Sequence, residues 1–316
     1  MRAPRRITEL VKQKQDFIDK QRGLLIKSVA DLQADLLNAI IAEMIPLLDT
    51  KAGVILETEN NYRLISTLDS IYANYSKLTS KKVLTEVTST FESIRSDDYD
   101  FMAVNLSPEL VKKFKDVKKE AERITDLRFG LKGGKFYPGG FLDSVLKENN
   151  PQALKRLLSK MVSAQVNTSA FIKYLRAYFR GKEGFEAKFT WFAFDVYQQY
   201  DATYNATLAD KLGLTNFIYQ GGLIEDSRDF CAAHDGKVWT VKEAEKWDEW
   251  RPIDGTYPEG YEVKAKDLYS VPSYLGYPGY NPLYDRGGYR CRHQLSYISD
   301  ELAKRLRPVK NKNEKS

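Results

Sequence analysis

The sequence predicts a mainly α protein with a small C-terminal α+β module: long amphipathic helices followed by a loop-rich end. Three observations predict it. Apolar residues recur at three- and four-residue steps through the first two-thirds of the 316-residue chain, the spacing of helices with one buried face. Five glycines and a proline interrupt that pattern at 130–140, and such a run breaks helices. After residue 212 the periodicity gives way to Asn216-Phe217-Ile218-Tyr219-Gln220, a short strand, and then to Gly, Pro and Tyr.

Taken in order, Ile7, Leu10, Val11, Phe17, Leu24, Leu25, Val29, Leu32, Leu36, Ile40, Met44 and Leu47 form one apolar stripe. It predicts one or two long helices ending near Lys51-Ala52-Gly53, where Gly suits a helix C-terminus. A second pattern uses Leu64, Leu68, Ile71, Tyr72, Tyr75 and Leu78. A third uses Val83, Val87, Phe91 and Ile94 and stops at Ser96-Asp97-Asp98. Ser107-Pro108-Glu109 reads as a helix start, with Ser to accept a backbone N–H and Pro at the first position. The glycine-rich run at 130–140 lacks the spacing of a nucleotide-binding loop and reads as a hinge. Helices are expected again at 141–148, 151–164 and 168–180, opened by Asn150-Pro151 and Asn167-Thr168. An aromatic helix follows at about 184–211, with Phe189, Tyr197, Tyr200 and Tyr204 implying burial on most sides. Past the strand, short helices are expected near 241–250 and at 297–306, separated by a long loop at 251–289. The chain thus divides into a helical region at 1–130, the hinge at 131–140, a helical stretch at 141–212, an α+β Cys/His module at 213–304 and a basic tail at 305–316.

Composition narrows the function classes. Hydrophobic residues are 42% and charged residues 29%, which suits a packed core better than a disordered chain. No run approaches the roughly 18 apolar residues of a membrane helix, so no membrane partner is expected. The basic start runs into Thr8, Glu9 and Lys12 instead of an apolar segment, which predicts a chain without a signal peptide, made and kept in the cytosol. Two Cys in that setting argue against a disulfide framework. The net charge of +6 is spread over 49 basic and 43 acidic residues, as on solvated helix faces. Only the Lys- and Arg-rich tail suggests a weak contact with DNA or an acidic partner.

The chemistry-bearing residues fall in two tight pairs, Cys231-Ala-Ala-His234 and Cys291-Arg-His293, which hold all of the chain's two Cys and two His. Four such ligands suit one structural zinc ion, closing the 251–289 loop of a module with little core. Other readings of the same residues stand beside it. Cys can pack as a small apolar side chain while His bonds to carbonyls. Cys231 and Cys291 can pair as a disulfide, or either can act as a nucleophile with a His base. Asp226, Arg228, Asp229 and Asp235 are candidate acid/base or metal groups, though turn formation and ion pairing are commoner roles for them.

The order of these features resembles the phage head-morphogenesis family, the Mu F-like minor head proteins, over about 165–300. The matching string runs Tyr200-Asp-Ala-Thr203-Tyr-Asn-Ala-Thr207, then Phe217-Ile-Tyr219, Asp226-Ser-Arg228-Asp-Phe-Cys231, Asp235-Gly-Lys-Val-Trp239, and Arg290-Cys291-Arg292-His293. The family commonly closes this segment with Cys-Arg-Cys. Here His293 replaces the second Cys and keeps a zinc-capable ligand. Asn281-Pro282-Leu-Tyr stands where the family often has Pro-Pro and a His. The resemblance implies that 141–212 is the helical part of a head-morphogenesis domain. It also implies a minor capsid protein of the virion, assembled in the host cytoplasm at or near the portal vertex, without catalysis. The implied partners are the portal and major capsid proteins, with self-association. Two alternatives are a zinc-dependent hydrolase or toxin-like transferase in the C-terminal module, and a DNA-contacting packaging accessory that uses the tail.

Overall fold

A computed structural model describes residues 5–133, 135–137, 151–181, 185–225, 227–247, 281–288 and 291–307. The chain is mainly helical, with a small C-terminal sheet. The elements are α1 (Arg5–Met44), a 3-10 turn (Ile45–Leu47), β1 (Thr50–Lys51), β2 (Val54–Ile55), α2 (Glu59–Ser66), α3 (Leu68–Asn105), α4 (Pro108–Arg128), β3 (Leu131–Lys132) and β4 (Lys135–Phe136). After these come α5 (Gln152–Ser163), α6 (Thr168–Arg180), α7 (Phe185–Leu212), β5 (Asn216–Gln220), α8 (Asp229–His234), β6 (Val238–Thr240), α9 (Val241–Ala244), α10 (Pro282–Asp285), β7 (Gln294–Ile298) and α11 (Asp300–Leu306).

The chain forms two compact units, each drawn from separate stretches of sequence. One unit joins Met1–Lys20 and Thr90–Leu127 to Asp195–Ser316; the other joins Gln21–Ser89 to Arg128–Phe194. Helices α1, α3, α4 and α7 each give residues to both.

The second unit is built on one apolar cluster. Leu32, Leu36, Ile40 and Met44 of α1 pack with Leu68, Ile71 and Tyr72 of α3, Leu154 and Leu158 of α5, and Phe171 and Leu175 of α6. The three- and four-residue spacing of each set puts it on one helix face. Gly53 does not end a helix. Ala52 and Gly53 both have positive φ, 50° and 76°, and form the turn of the β1–β2 hairpin, the geometry two-residue hairpins favour. Asn61, fully buried, ties this corner together. Its Nδ2 donates to Asp49 O at 3.1 Å and Leu56 O at 2.7 Å, and its Oδ1 accepts from Asp49 N at 2.9 Å. The first part of the expected hinge is also a hairpin, with β3 and β4 pairing Leu131 with Phe136. The expected helix at 141–148, residues 251–280 and the tail beyond 307 lie outside the described residues.

In the first unit, α3 runs unbroken through Ser96-Asp97-Asp98, where the sequence suggests a stop. Asp98 is buried there in contact with Lys14 of α1 and with Asn205 of α7, so a tertiary ion pair overrides the local preference of Asp for helix ends. Helix α4 starts at Ser107-Pro108 as expected, Ser107 Oγ accepting from Leu110 N at 3.4 Å. The aromatic face of α7 is buried, with Tyr200 stacked on Phe91 at 3.5 Å between ring centroids. The antiparallel sheet has the order β6-β5-β7. Phe217 of β5 stands between Trp239 and Tyr297 in register. Tyr297 and Ile298 belong to β7 and not to the last helix, which begins beyond Ser299, its side chain accepting from Leu302 N at 3.3 Å.

Candidate metal centre

The sheet register builds the site. Strand β5 pairs with β7 through Gln220↔Gln294, so the residues just before β7, Cys291 to His293, pass the end of β5. At that crossing Gly221 has no room for a side chain: a Cβ would fall 2.6 Å from His293 Cα and 2.9 Å from Arg292 O. On the other side, α8 carries Cys231. Cys231 Sγ lies 3.9 Å from Cys291 Sγ, and Cys291 Sγ lies 3.9 Å from His293 Nδ1. All three ligand atoms fall within 4.8 Å of one another. A tetrahedral ion with metal–sulfur bonds of about 2.3 Å would hold two thiolates about 3.8 Å apart. The donor set therefore fits a thiolate-binding metal with little movement. Both cysteines are free thiols, and their separation is far beyond a disulfide's roughly 2 Å.

Three of the four expected ligands meet, and His234 does not join them. It sits at the end of α8 with Nδ1 2.6 Å from Phe230 O, and its ring stacks on Phe230 at 4.1 Å and packs against Trp239 and Trp247. Burial, opposed by the Phe230 carbonyl, lowers its pKa to about 4, so it is a neutral member of an aromatic cluster. The Cys-x-x-His spacing gave no hint of this, because sequence proximity does not fix which way the ring turns.

Polar groups surround the ligands. His293 Nε2 lies 3.1 Å from Asp235 Oδ1, which leaves Nδ1 toward the sulfurs, the arrangement that orients a metal-bound imidazole. Backbone N–H groups of Gly222 and Gly221 donate to Asp235. With His293 they outweigh the cost of burial and hold its carboxyl below the usual range. Burial works against charge on both partners of the Cys291–His293 pair. Even so, Cys231, His293 and Arg286 hold the Cys291 thiol well below its ordinary value, and Asp235 and Cys291 raise His293 to about 9. Cys231 is pushed far up, first by sharing its proton with Cys291 and then by burial. These directions favour charge on the Cys291–His293 pair and the protonated form of Cys231.

Sequence reasoning missed three contributors. The Tyr219 hydroxyl lies 3.5 Å from Cys231 Sγ and 3.3 Å from Cys291 Sγ. Gly287 backs onto the sulfurs, where a Cβ would come within 2.8 Å of one and 3.0 Å of the other. Arg286, buried with φ 52°, donates from Nη1 to Gln198 O at 2.8 Å. The Gly287-Gly288 pair was the available signal, since glycine marks close backbone approach. Of the other candidates, Arg228 is the N-cap residue of α8, Asp226 lies outside the described residues, and the Asp229 side chain is not described.

Cys291, His293 and Asp235 also stand in the order of a nucleophile, its base and the carboxylate that orients the base. Cys231 is 3% exposed and Cys291 2%, and Gly287 already fills the space against both sulfurs. Among the described residues both thiols are closely packed, while a bare ion needs only the gap between the three ligand atoms. Compared with family models, curated proteins and solved structures, the chain finds no match in any of the three.

Proposed function

We propose that this chain is a phage minor head protein acting in head assembly at or near the portal vertex, through protein–protein binding without catalysis, and that Cys231, Cys291 and His293 hold one structural zinc ion. The observation that carries the reading is the convergence of the resembling segments. The α7 segment around Thr203 and Thr207, β5, Cys231, the Asp235–Trp239 step and the Cys291–His293 run all belong to one compact unit. Their Cys, His and Asp side chains meet at one buried centre. Burial of the thiols supports a structural role for that centre over a catalytic one. The adjacent exposed pair Leu223 and Ile224, 54% and 51% exposed, follows β5 directly and offers an apolar contact for a partner such as the portal protein.

The test co-expresses the tagged chain with a portal protein from the same source genome and measures co-elution on size exclusion. The expected result is a stable complex that Leu223→Asp with Ile224→Asp weakens, while the zinc content stays near one ion per chain. Portal protein that elutes apart from the wild-type chain overturns the assembly reading. Protein purified free of chelators that carries no zinc overturns the metal reading separately.

A further inference from the structure

We propose that a cavity of about 270 Å³ between the first turns of α1, the end of α3 and β7 is a binding site for an aliphatic cation, a primary ammonium or guanidinium on a short alkyl stem. This inference does not rest on the assembly reading or on the metal centre.

The floor of the cavity is a buried charge cluster. Lys14 contacts Asp98 and Asp201 together, and Asn205 Nδ2 donates to Asp98 Oδ1 at 3.1 Å and Asp201 Oδ1 at 2.9 Å. Asp97 and Asp100 line the cavity nearer its mouth, Asp97 half-buried and Asp100 exposed. Lys14 thus answers two buried carboxylates, Asp98 and Asp201, while Asp97 and Asp100 add negative charge to the cavity lining. Asp98, 1% exposed, keeps Oδ2 without a hydrogen-bond partner, where an unmet carboxylate oxygen carries the cost of desolvation. Burial, opposed by Lys14, pushes its carboxyl up to about 7.

The walls select among cations. Leu10 and Phe17 of α1, Phe101 of α3 and Leu295 of β7 are apolar, so the path to the carboxylates suits a methylene chain with a charged end. A bare divalent ion fits poorly. The Lys14 ammonium already stands between Asp98 and Asp201, and among the described residues the only grouping that draws ligand atoms to within one ion's reach is the Cys231 trio. The same chemistry comes from two sources, a free alkyl amine or a Lys or Arg side chain on another polypeptide.

The test is calorimetric titration of the full chain with 1,5-diaminopentane and, separately, with Nα-acetyl-lysine amide, against sodium chloride as the control. We expect saturable binding at millimolar concentration or below, and a loss of roughly tenfold or more in Asp98→Asn, the size expected for a charged hydrogen bond. Leu10→Trp, which fills the cavity from a half-buried wall without touching the charges, is expected to abolish binding while the circular dichroism spectrum stays that of the parent. Tighter binding of the capped lysine marks a polypeptide side chain as the source, and tighter binding of the diamine marks a free amine. No heat with either amine, or equal affinity in Leu10→Trp, overturns the proposal.

Discussion

Replacing Gly287 by Ala tests the metal centre without touching a ligand. The added Cβ would stand 2.8 Å from Cys231 Sγ, 3.0 Å from Cys291 Sγ and 3.1 Å from the Tyr219 hydroxyl. Unstrained contacts to carbon lie near 3.5–4.0 Å, so each neighbour must retreat by roughly half an ångström or more. The three neighbours come from different segments, and both cysteines and Tyr219 are buried, so relief requires either their separate retreat or displacement of the Gly287 backbone. Overpacking of this kind costs about 1–3 kcal/mol. At about 2–4 °C per kcal/mol for a unit of this size, the thermal midpoint should fall by roughly 2–12 °C. Pushing the sulfurs apart should also weaken the ion, seen as loss of the thiolate charge-transfer band of the cobalt(II)-loaded protein. Gly23→Ala is the matched control. It adds the same methyl group inside α1 where nothing lies within 4 Å, and helix propensity predicts a gain of up to about 1 kcal/mol. If Gly287→Ala melts with the parent and binds cobalt with the same spectrum, the loop does not press on the sulfurs and the account of the centre is wrong.

Three further changes probe the rest of the molecule. Lys14→Met leaves Asp98 and Asp201 buried without their cation and should cost about 3–5 kcal/mol in urea unfolding. Adding Asp98→Asn and Asp201→Asn should recover much of that loss, and failure to recover would mean that Lys14 matters through packing. Asn61→Ala strips the Asp49 and Leu56 backbone groups of their partners and should cost about 2–3 kcal/mol, with unchanged metal content because Asn61 belongs to the other unit. His234 is held neutral, its folded pKa about 4 against 6.5 unfolded. Its contribution is therefore complete above about pH 6.5 and is lost as pH falls toward 4. On the order of 3 kcal/mol of acid sensitivity in that window should vanish in His234→Phe, and an unchanged pH profile of the thermal midpoint would contradict the buried neutral ring.

What was legible in the sequence was what short-range chemistry decides. Ser107-Pro108 starts α4, Asn167 caps α6 by accepting from Ala170 N at 2.7 Å, and the apolar stripes give the buried faces of α1, α5 and α6. What was not legible depended on partners distant in the chain. Ser96-Asp97-Asp98 reads as a helix stop because those residues compete for backbone hydrogen bonds, yet Lys14, 84 residues away, gives Asp98 a buried role inside α3. Tyr297-Ile298 suits either a strand or the first turn of a helix, because a short apolar run has no decisive period; pairing with β5 settles it. Cys231, Cys291 and His293 were visible as ligand types, and Asp235 as a candidate acidic group. Only the register of β5 on β7 and the side-chain-free approach at Gly221 and Gly287 bring them together.

Metal removal follows from the same geometry. Cys231 and Cys291 are separated by 60 positions, so an ion bridging them closes a long loop. By loop-closure entropy, a cross-link over that span is worth about 4 kcal/mol, a ceiling that strain and residual unfolded structure reduce. Strip the ion with a strong chelator under reducing conditions and the thermal midpoint should fall, by more than in the Cys291→Ala variant treated alike, since that variant has no bridge to lose. The thiols alone do not replace the ion: at 3.9 Å they must close by nearly 2 Å to form a disulfide, between α8 and the segment before β7, where Gly221 and Gly287 already stand at contact distance. Mild oxidation of the apo protein should therefore leave most of the thiol titre intact and leave the lost stability unrecovered. Quantitative disulfide formation with full recovery would mean that the two cysteines form a redox pair, and the case for a metal would then have no remaining support in this geometry.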